Sequence, residues 1–163
     1  MIFIKCIGAL FVLVGALVIS GAYSRYYTKS VEECKQLLSF IREIREDISS
    51  FLLPQSKLGK RASRYPCDGN PFFSALARGQ TLADAYEESA DRMNVPEGFK
   101  RVLSELFSRL GRSYASEEAA RIDSAVASLQ QELNELEERA IKDVKCARTV
   151  ILAVALGAVI LLL

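Results

Sequence analysis

The sequence predicts an all-α protein, a membrane-anchored bundle of about six helices with a transmembrane helix at each end. In the middle of the chain apolar residues recur at intervals of three and four, and no run alternates as a strand does. Both ends are uncharged apolar runs, at 7–22 and 149–163. The predicted organisation is therefore a first transmembrane helix over 1–23, a helical domain over 24–148, and a short second transmembrane segment over 149–163.

The N-terminal apolar run is long enough to cross a bilayer, because only Lys5 interrupts it between Met1 and Ala22. The alternative is a cleaved signal peptide. In that reading Lys5 is its basic start, and the small residues before Tyr23 resemble a cleavage site. A cleaved chain would be a secreted helical protein that still carries the apolar C-terminal tail.

The C-terminal run is short for a membrane span. Its 15 residues reach about 22 Å as a helix, against a hydrocarbon thickness of about 30 Å. Local thinning of the bilayer, or snorkelling of Lys145 and Arg148, would accommodate the difference. The alternative is a buried core helix, but no other part of this small domain could enclose such an apolar terminus. Ala16 and Ala153 each have a small residue four positions later, a spacing that would let the two end helices approach closely.

The positive charges predict the orientation, since cations near the ends of a span stay in the cytoplasm. On the side of the membrane away from the domain, the only cation is Lys5. Six cations flank the spans on the domain side: Arg25, Lys29, Lys35, Lys142, Lys145 and Arg148. We therefore expect the domain to be cytoplasmic.

The first helix of the domain is predicted to begin near Val31 and to end before Pro54. Ser30 and Glu33 form a capping-box pattern at its start. Its apolar face consists of Val31, Cys34, Leu38, Ile41, Ile44, Ile48 and Leu52. A short helix follows, with four basic residues on one side: Lys57, Lys60, Arg61 and Arg64.

The next helices have clear start and stop signals. Asn70 before Pro71 begins a short helix that Gly79 ends, and Thr81 caps another that runs to about Met93. A fifth helix begins near Pro96 and ends at Gly111, which is placed as a left-handed C-terminal residue.

The last helix begins near Ser116 and shows a heptad seam formed by Ile122, Val126, Leu129, Leu133, Leu136 and Ala140. So few heptads indicate packing within one bundle, and the first helix of the domain offers a matching stripe. Antiparallel packing of these two helices would bring both chain ends together. With no Pro or Gly before Gly157, the last helix is expected to continue unbroken into the apolar tail and so to couple the domain to the anchor.

Residue types that carry catalysis are scarce. The chain has no histidine, and its four cysteines are scattered, so zinc binding, other metals and cofactors are not predicted. No nucleotide-binding or hydrolase motif occurs, and the acidic groups are typical of solvated helix faces. A net charge of +1 gives no argument for nucleic acid. We predict neither an enzyme nor a small-molecule substrate.

The basic group Lys57, Lys60, Arg61 and Arg64 is the most concentrated local charge. Its helical spacing is also typical of an ordinary solvated helix side. As a functional surface it would meet anionic lipid headgroups or an acidic partner protein.

The chain resembles the stage III sporulation protein AB family over essentially its whole length. The resemblance rests on the first apolar run with Gly8 and Gly15, the long helix leading into the Leu-Leu-Pro at 52–54, the Leu-Gly-Arg-Ser turn at 110–113, and the apolar tail. In that turn Gly111 permits the change of direction. Arg112 and Ser113 are polar groups suited to capping or to a partner contact.

The resemblance implies a cytoplasmic helical domain similar to those of type II secretion and type IV pilus platform proteins, which bind assembly ATPases. It also implies a structural role in the mother-cell membrane around the forespore, in the channel between the two cells. The expected partners are the channel subunits, including an assembly ATPase, and membrane lipids. The alternative is a membrane-bound helical protein that handles a lipid or another small molecule.

Overall fold

The computed structural model describes the backbone of residues 2–49, 60–65, 70–110 and 114–162, and the side chains of 14–47, 60–65, 70–110, 114, 116–157 and 160. The described residues form five α-helices and one 3₁₀ helix, with a helical turn at 60–62 and no strand among them. The predicted all-α class is confirmed. The elements are α1 (Ile2–Ser49), α2 (Pro71–Ala77), α3 (Leu82–Ser89), the 3₁₀ helix (Ala90–Arg92), α4 (Glu97–Arg109) and α5 (Ala115–Leu162).

These elements belong to two compact units. The terminal unit comprises Met1–Lys29 and Glu137–Leu163, and the middle unit comprises Ser30–Leu136. Helices α1 and α5 contribute to both, while α2, α3 and α4 lie entirely in the middle unit.

The predicted helix start at Val31 is wrong, because α1 runs without a break from Ile2 to Ser49. No Pro or Gly lies between residues 22 and 30 to stop the helix. Ser30 and Glu33 are buried inside it instead of capping its start. The Glu33 carboxylate accepts a hydrogen bond from the backbone N–H of Asn94 at 2.8 Å, so Glu33 makes a tertiary contact and not a helix cap.

The starts and stops of the short helices follow the predictions. The Asn70 side chain accepts from the backbone N–H of Phe72 at 3.0 Å, and Thr81 Oγ1 accepts from that of Asp84 at 3.2 Å. Gly79 follows α2 with φ of 87°, the left-handed conformation that favours glycine. The helix predicted from Thr81 to Met93 is α-helical up to Ser89, and its last turn is 3₁₀.

In the middle unit α1 and α5 pack antiparallel, as predicted. Arg42 donates to Gln130 Oε1 at 2.8 Å, and the later Arg45 forms two 2.9 Å hydrogen bonds with the earlier Asp123. The apolar stripes of both helices are buried between these polar rims: Cys34, Leu37, Leu38, Phe40, Ile41 and Ile44 on α1, and Ile122, Leu129 and Leu133 on α5. The heptad seam is therefore a seam within one chain.

An aromatic cluster joins the short helices to this seam. Phe40 makes edge contacts with Phe72 and Phe73, at centroid distances of 6.0 and 5.4 Å. Phe72 stacks on Phe107 of α4 at 5.4 Å, and Tyr65 stacks on Phe73 at 4.6 Å. Because the phenylalanines are almost completely buried, each contributes about 2 kcal/mol of hydrophobic stabilisation.

Two carboxylates from the long helices meet the chain at the start of α4. The Glu132 carboxylate fills the space that a Cβ on Gly98 would need. The hydrogen bond from Asn94 to Glu33 lies four residues earlier in the chain. Pro96, at the N-cap of α4, supplies no capping side chain, so the Glu132 charge lies favourably at the positive end of that helix. Burial and the charges of Glu33 and Glu132 raise the pKa of the Cys34 thiol to about 12.

The terminal unit exposes many large apolar side chains. Val18 on α1 and Val154 on α5 are 65% and 67% exposed. Its buried side chains, among those described, are Ala16 and Ala155. The buried side chains of this unit are thus small, as predicted for a close approach of the two helices. On α5, however, the buried residue is Ala155, and the predicted pair of Ala153 and Gly157 is wrong because both are exposed.

Among the described residues, no helix contains an apolar stretch long enough to cross a membrane. The two predicted spans are therefore not confirmed. Side chains 1–13, which make up much of the predicted N-terminal span, lie outside the described residues, as do Ile48 and Leu52 of the predicted first helix face and Gly111.

The packing of Gly98 against Glu132 predicts a coupled pair of substitutions. In a Glu132→Ala background, Gly98→Ala should stabilise the protein by about 0.5–1 kcal/mol, because alanine favours the helix. In the native chain the new methyl group displaces the Glu132 carboxylate from α4, so we expect the gain to disappear. Urea unfolding of the four proteins measures this coupling. Equal effects of Gly98→Ala in both backgrounds would contradict it.

The cysteines predict a difference in alkylation. The raised pKa keeps the Cys34 thiol protonated at pH 8, and its side chain is fully buried, whereas Cys146 is exposed. Iodoacetamide should therefore modify Cys146 in the native protein and Cys34 only after unfolding. Peptide mapping by mass spectrometry distinguishes the two sites, and equally fast labelling of Cys34 in the native protein would contradict its burial.

Candidate partner-binding groove

The predicted basic group is divided by its contacts. Arg61 forms a 2.7 Å ion pair with Asp47 of α1 and donates to the backbone oxygen of Glu43 at 3.1 Å. Lys60 and Arg64 are exposed, and Lys57 lies outside the described residues. Arg61 thus holds the 60–65 turn on α1, and the surface that remains for a partner consists of Lys60 and Arg64.

Tyr65 gives this turn a second attachment. Its hydroxyl donates to Glu43 Oε1 at 2.8 Å, and its ring stacks on Phe73. Burial, the largest cause, and the Glu43 carboxylate raise the pKa of Tyr65 above its ordinary value. The phenol therefore stays protonated and can keep donating.

The turn between α4 and α5 carries the other two predicted contact residues, Arg112 and Ser113, which lie outside the described residues. Beside the turn, the Arg121 guanidinium donates to the backbone oxygen of Arg109 at 3.4 Å. Tyr114 follows the turn with 83% of its surface exposed. An aromatic side chain this exposed is a typical partner contact, and Tyr114 is not among the contact residues predicted from the sequence.

A groove of about 190 Å³ lies between α4 and α5, next to this turn. Its apolar lining consists of Val102 and Leu106 from α4 and Ala125 from α5. Helical spacing explains the position: residues at 121, 124, 125 and 128 share one side of α5, and those at 102, 105, 106 and 109 share one side of α4. We call this surface the α4–α5 groove.

The rim of the α4–α5 groove is polar. Arg109 pairs with Glu105 at 3.4 Å along α4, and both side chains are more than half exposed. Arg121 lies on the facing side, and Ser124 and Ser128 are exposed along α5. Two guanidinium groups and one carboxylate around an apolar floor suit a segment that brings an apolar side chain and an acidic group.

The size of the groove argues against a small-molecule site. Pockets that hold small ligands usually enclose roughly 300–1,000 Å³, well above the volume found here. In the described part of the chain no group of His, Cys, Asp or Glu is arranged to hold a metal ion. The groove is thus better suited to a side chain from another protein.

Comparison with families of known proteins gives a match over nearly the whole chain. The model of the family described as stage III sporulation protein AB matches residues 5–163, nearly the whole chain. No curated protein and no solved structure matches the chain. Because the match covers both apolar ends and every described helix of the middle unit, the chain belongs to the stage III sporulation protein AB family.

Proposed function

We propose that this protein is a non-catalytic scaffold of the sporulation channel between mother cell and forespore, anchored in the membrane, that recruits an assembly ATPase. Family membership supports a role in sporulation. The observation that carries the finer proposal is the α4–α5 groove, an apolar surface rimmed by Arg109 and Arg121.

The membrane part of the proposal is supported by the terminal unit. Leu17, Val18 and Ile19 on α1 and Val150, Val154 and Ile160 on α5 are each more than half exposed. So many exposed large apolar side chains in one unit are unusual on a monomer in water, and a bilayer would cover them. The cations on the domain side favour a cytoplasmic middle unit, and the proposed location is the mother-cell membrane around the forespore.

The α4–α5 groove supports recruitment through a side chain that projects from the ATPase. An apolar anchor between Val102 and Ala125 would be desolvated, and an acidic neighbour could pair with Arg121 or Arg109. Rim charges chiefly speed association and select the partner, while the apolar anchor supplies most of the affinity.

The test is recovery of partners with the tagged full-length chain from detergent-solubilised sporulating cells. Ser124→Trp fills the α4–α5 groove from an exposed position, so it should reduce recovery of the channel ATPase by about fivefold or more. Ala127→Trp places the same side chain on an exposed position of α5 that does not line the groove, and it should leave recovery unchanged.

Equal recovery with both tryptophan variants would exclude the groove as the contact surface. If even the native chain recovers no channel protein and carries a bound lipid or metabolite instead, the scaffold proposal fails. The alternative of a lipid- or small-molecule-handling protein would then take its place.

A further inference from the structure

The net charge of +1 conceals a strong separation of charge between the two units. The terminal unit contains seven Lys and Arg against three Asp and Glu, a net charge of +4. The middle unit contains fourteen against seventeen, a net charge of −3. The excess positive charge thus lies in the unit that exposes the apolar side chains.

Within the terminal unit the cations occupy matching places on both helices. On α1, exposed apolar residues up to Ile19 are followed by exposed tyrosines and cations that alternate, Tyr23, Arg25, Tyr26 and Lys29. On α5, exposed cations come before the apolar residues that begin at Val150. We call these exposed cations the cationic band: Arg25, Lys29, Lys142, Lys145 and Arg148.

The one acidic residue between Lys142 and Arg148 of α5, Asp143, already has a hydrogen-bond partner. Asp143 accepts a 3.1 Å hydrogen bond from the hydroxyl of Tyr27, which lies 3.5 Å from that of Tyr23. Lys142 has a long 3.7 Å ion pair with Glu138, and both side chains are about three-quarters exposed. Among the described residues Lys145 and Arg148 form no ion pair, so their charges are available to an external anion.

We propose that the cationic band binds the headgroups of anionic phospholipids, which rests on the membrane anchoring proposed above. On both helices the apolar side chains adjoin cations, with tyrosines among the cations on α1, and a bilayer likewise presents hydrocarbon next to its interface and headgroup phosphates. An acidic protein surface would satisfy the charges but would not match the adjoining apolar residues on both helices. Lys145 and Arg148 are the principal contacts, because no partner within the described chain competes for them.

The test measures lipid retained by the full-length chain in mild detergent after exposure to equal amounts of phosphatidylglycerol and phosphatidylcholine, using native mass spectrometry. The native chain should retain phosphatidylglycerol preferentially, by about fivefold or more. The Lys145→Gln/Arg148→Gln double variant should lose most of this preference. The control Arg92→Gln/Arg101→Gln removes the same charge from exposed positions of the middle unit and should keep it.

The absence of a preference in the native chain, or an equal preference in the two double variants, overturns the proposal. A Lys145→Gln/Arg148→Gln chain that keeps the preference but loses a co-purifying acidic protein also overturns it, in favour of a protein partner. Alkaline carbonate extraction of cell membranes tests the anchoring separately. Release of a chain that still selects phosphatidylglycerol would overturn the anchoring and leave the headgroup site standing.

Discussion

Apolar side chains buried between α1 and α5 hold the middle unit together, and the other elements depend on that seam. Ile122 and Leu129 of α5 are fully buried, as are Leu37 and Phe40 of α1. Truncation of one such residue to alanine typically costs about 2–5 kcal/mol, a large share of a domain's stability. The seam buries one face of each 48-residue helix, and the other faces remain available to partners.

Polar contacts accompany this apolar packing, both between α1 and α5 and at the start of α4. The paired hydrogen bonds from Arg45 to Asp123 form across the seam in the register in which the apolar stripes of α1 and α5 pack. These two groups are substantially exposed, so they contribute little energy. The carboxylates of Glu33 and Glu132 have a similar role at the start of α4, where they meet a backbone N–H and a residue without a side chain.

Local features of the fold could be predicted from the sequence because their causes are local. The caps at Asn70 and Thr81, the left-handed Gly79 and the apolar stripes depend on residues a few positions apart. The start of α1 could not, since Ser30 and Glu33 form the same pattern at a helix start and inside a helix. The partner that decides between them, Asn94, is 61 positions from Glu33. The α4–α5 groove escaped prediction for the same reason, because its two walls are distant in sequence.

The division of properties between the two units is the basis of the functional account. The terminal unit combines positive charge with exposed apolar residues, and the middle unit carries the α4–α5 groove and a negative net charge. A scaffold needs one surface that fixes its location and another that recruits. This chain has a candidate for each in a different part of its fold.

The central claim, that the α4–α5 groove receives another protein of the channel, is tested most directly by photo-crosslinking in sporulating cells. A benzoylphenylalanine replaces Glu105, on the exposed rim of the groove, or Ala127, an exposed position of α5 outside it. The account predicts a crosslink from position 105 to the assembly ATPase, identified by mass spectrometry, and none from position 127. A crosslink to the ATPase from position 127 but none from position 105 would contradict it.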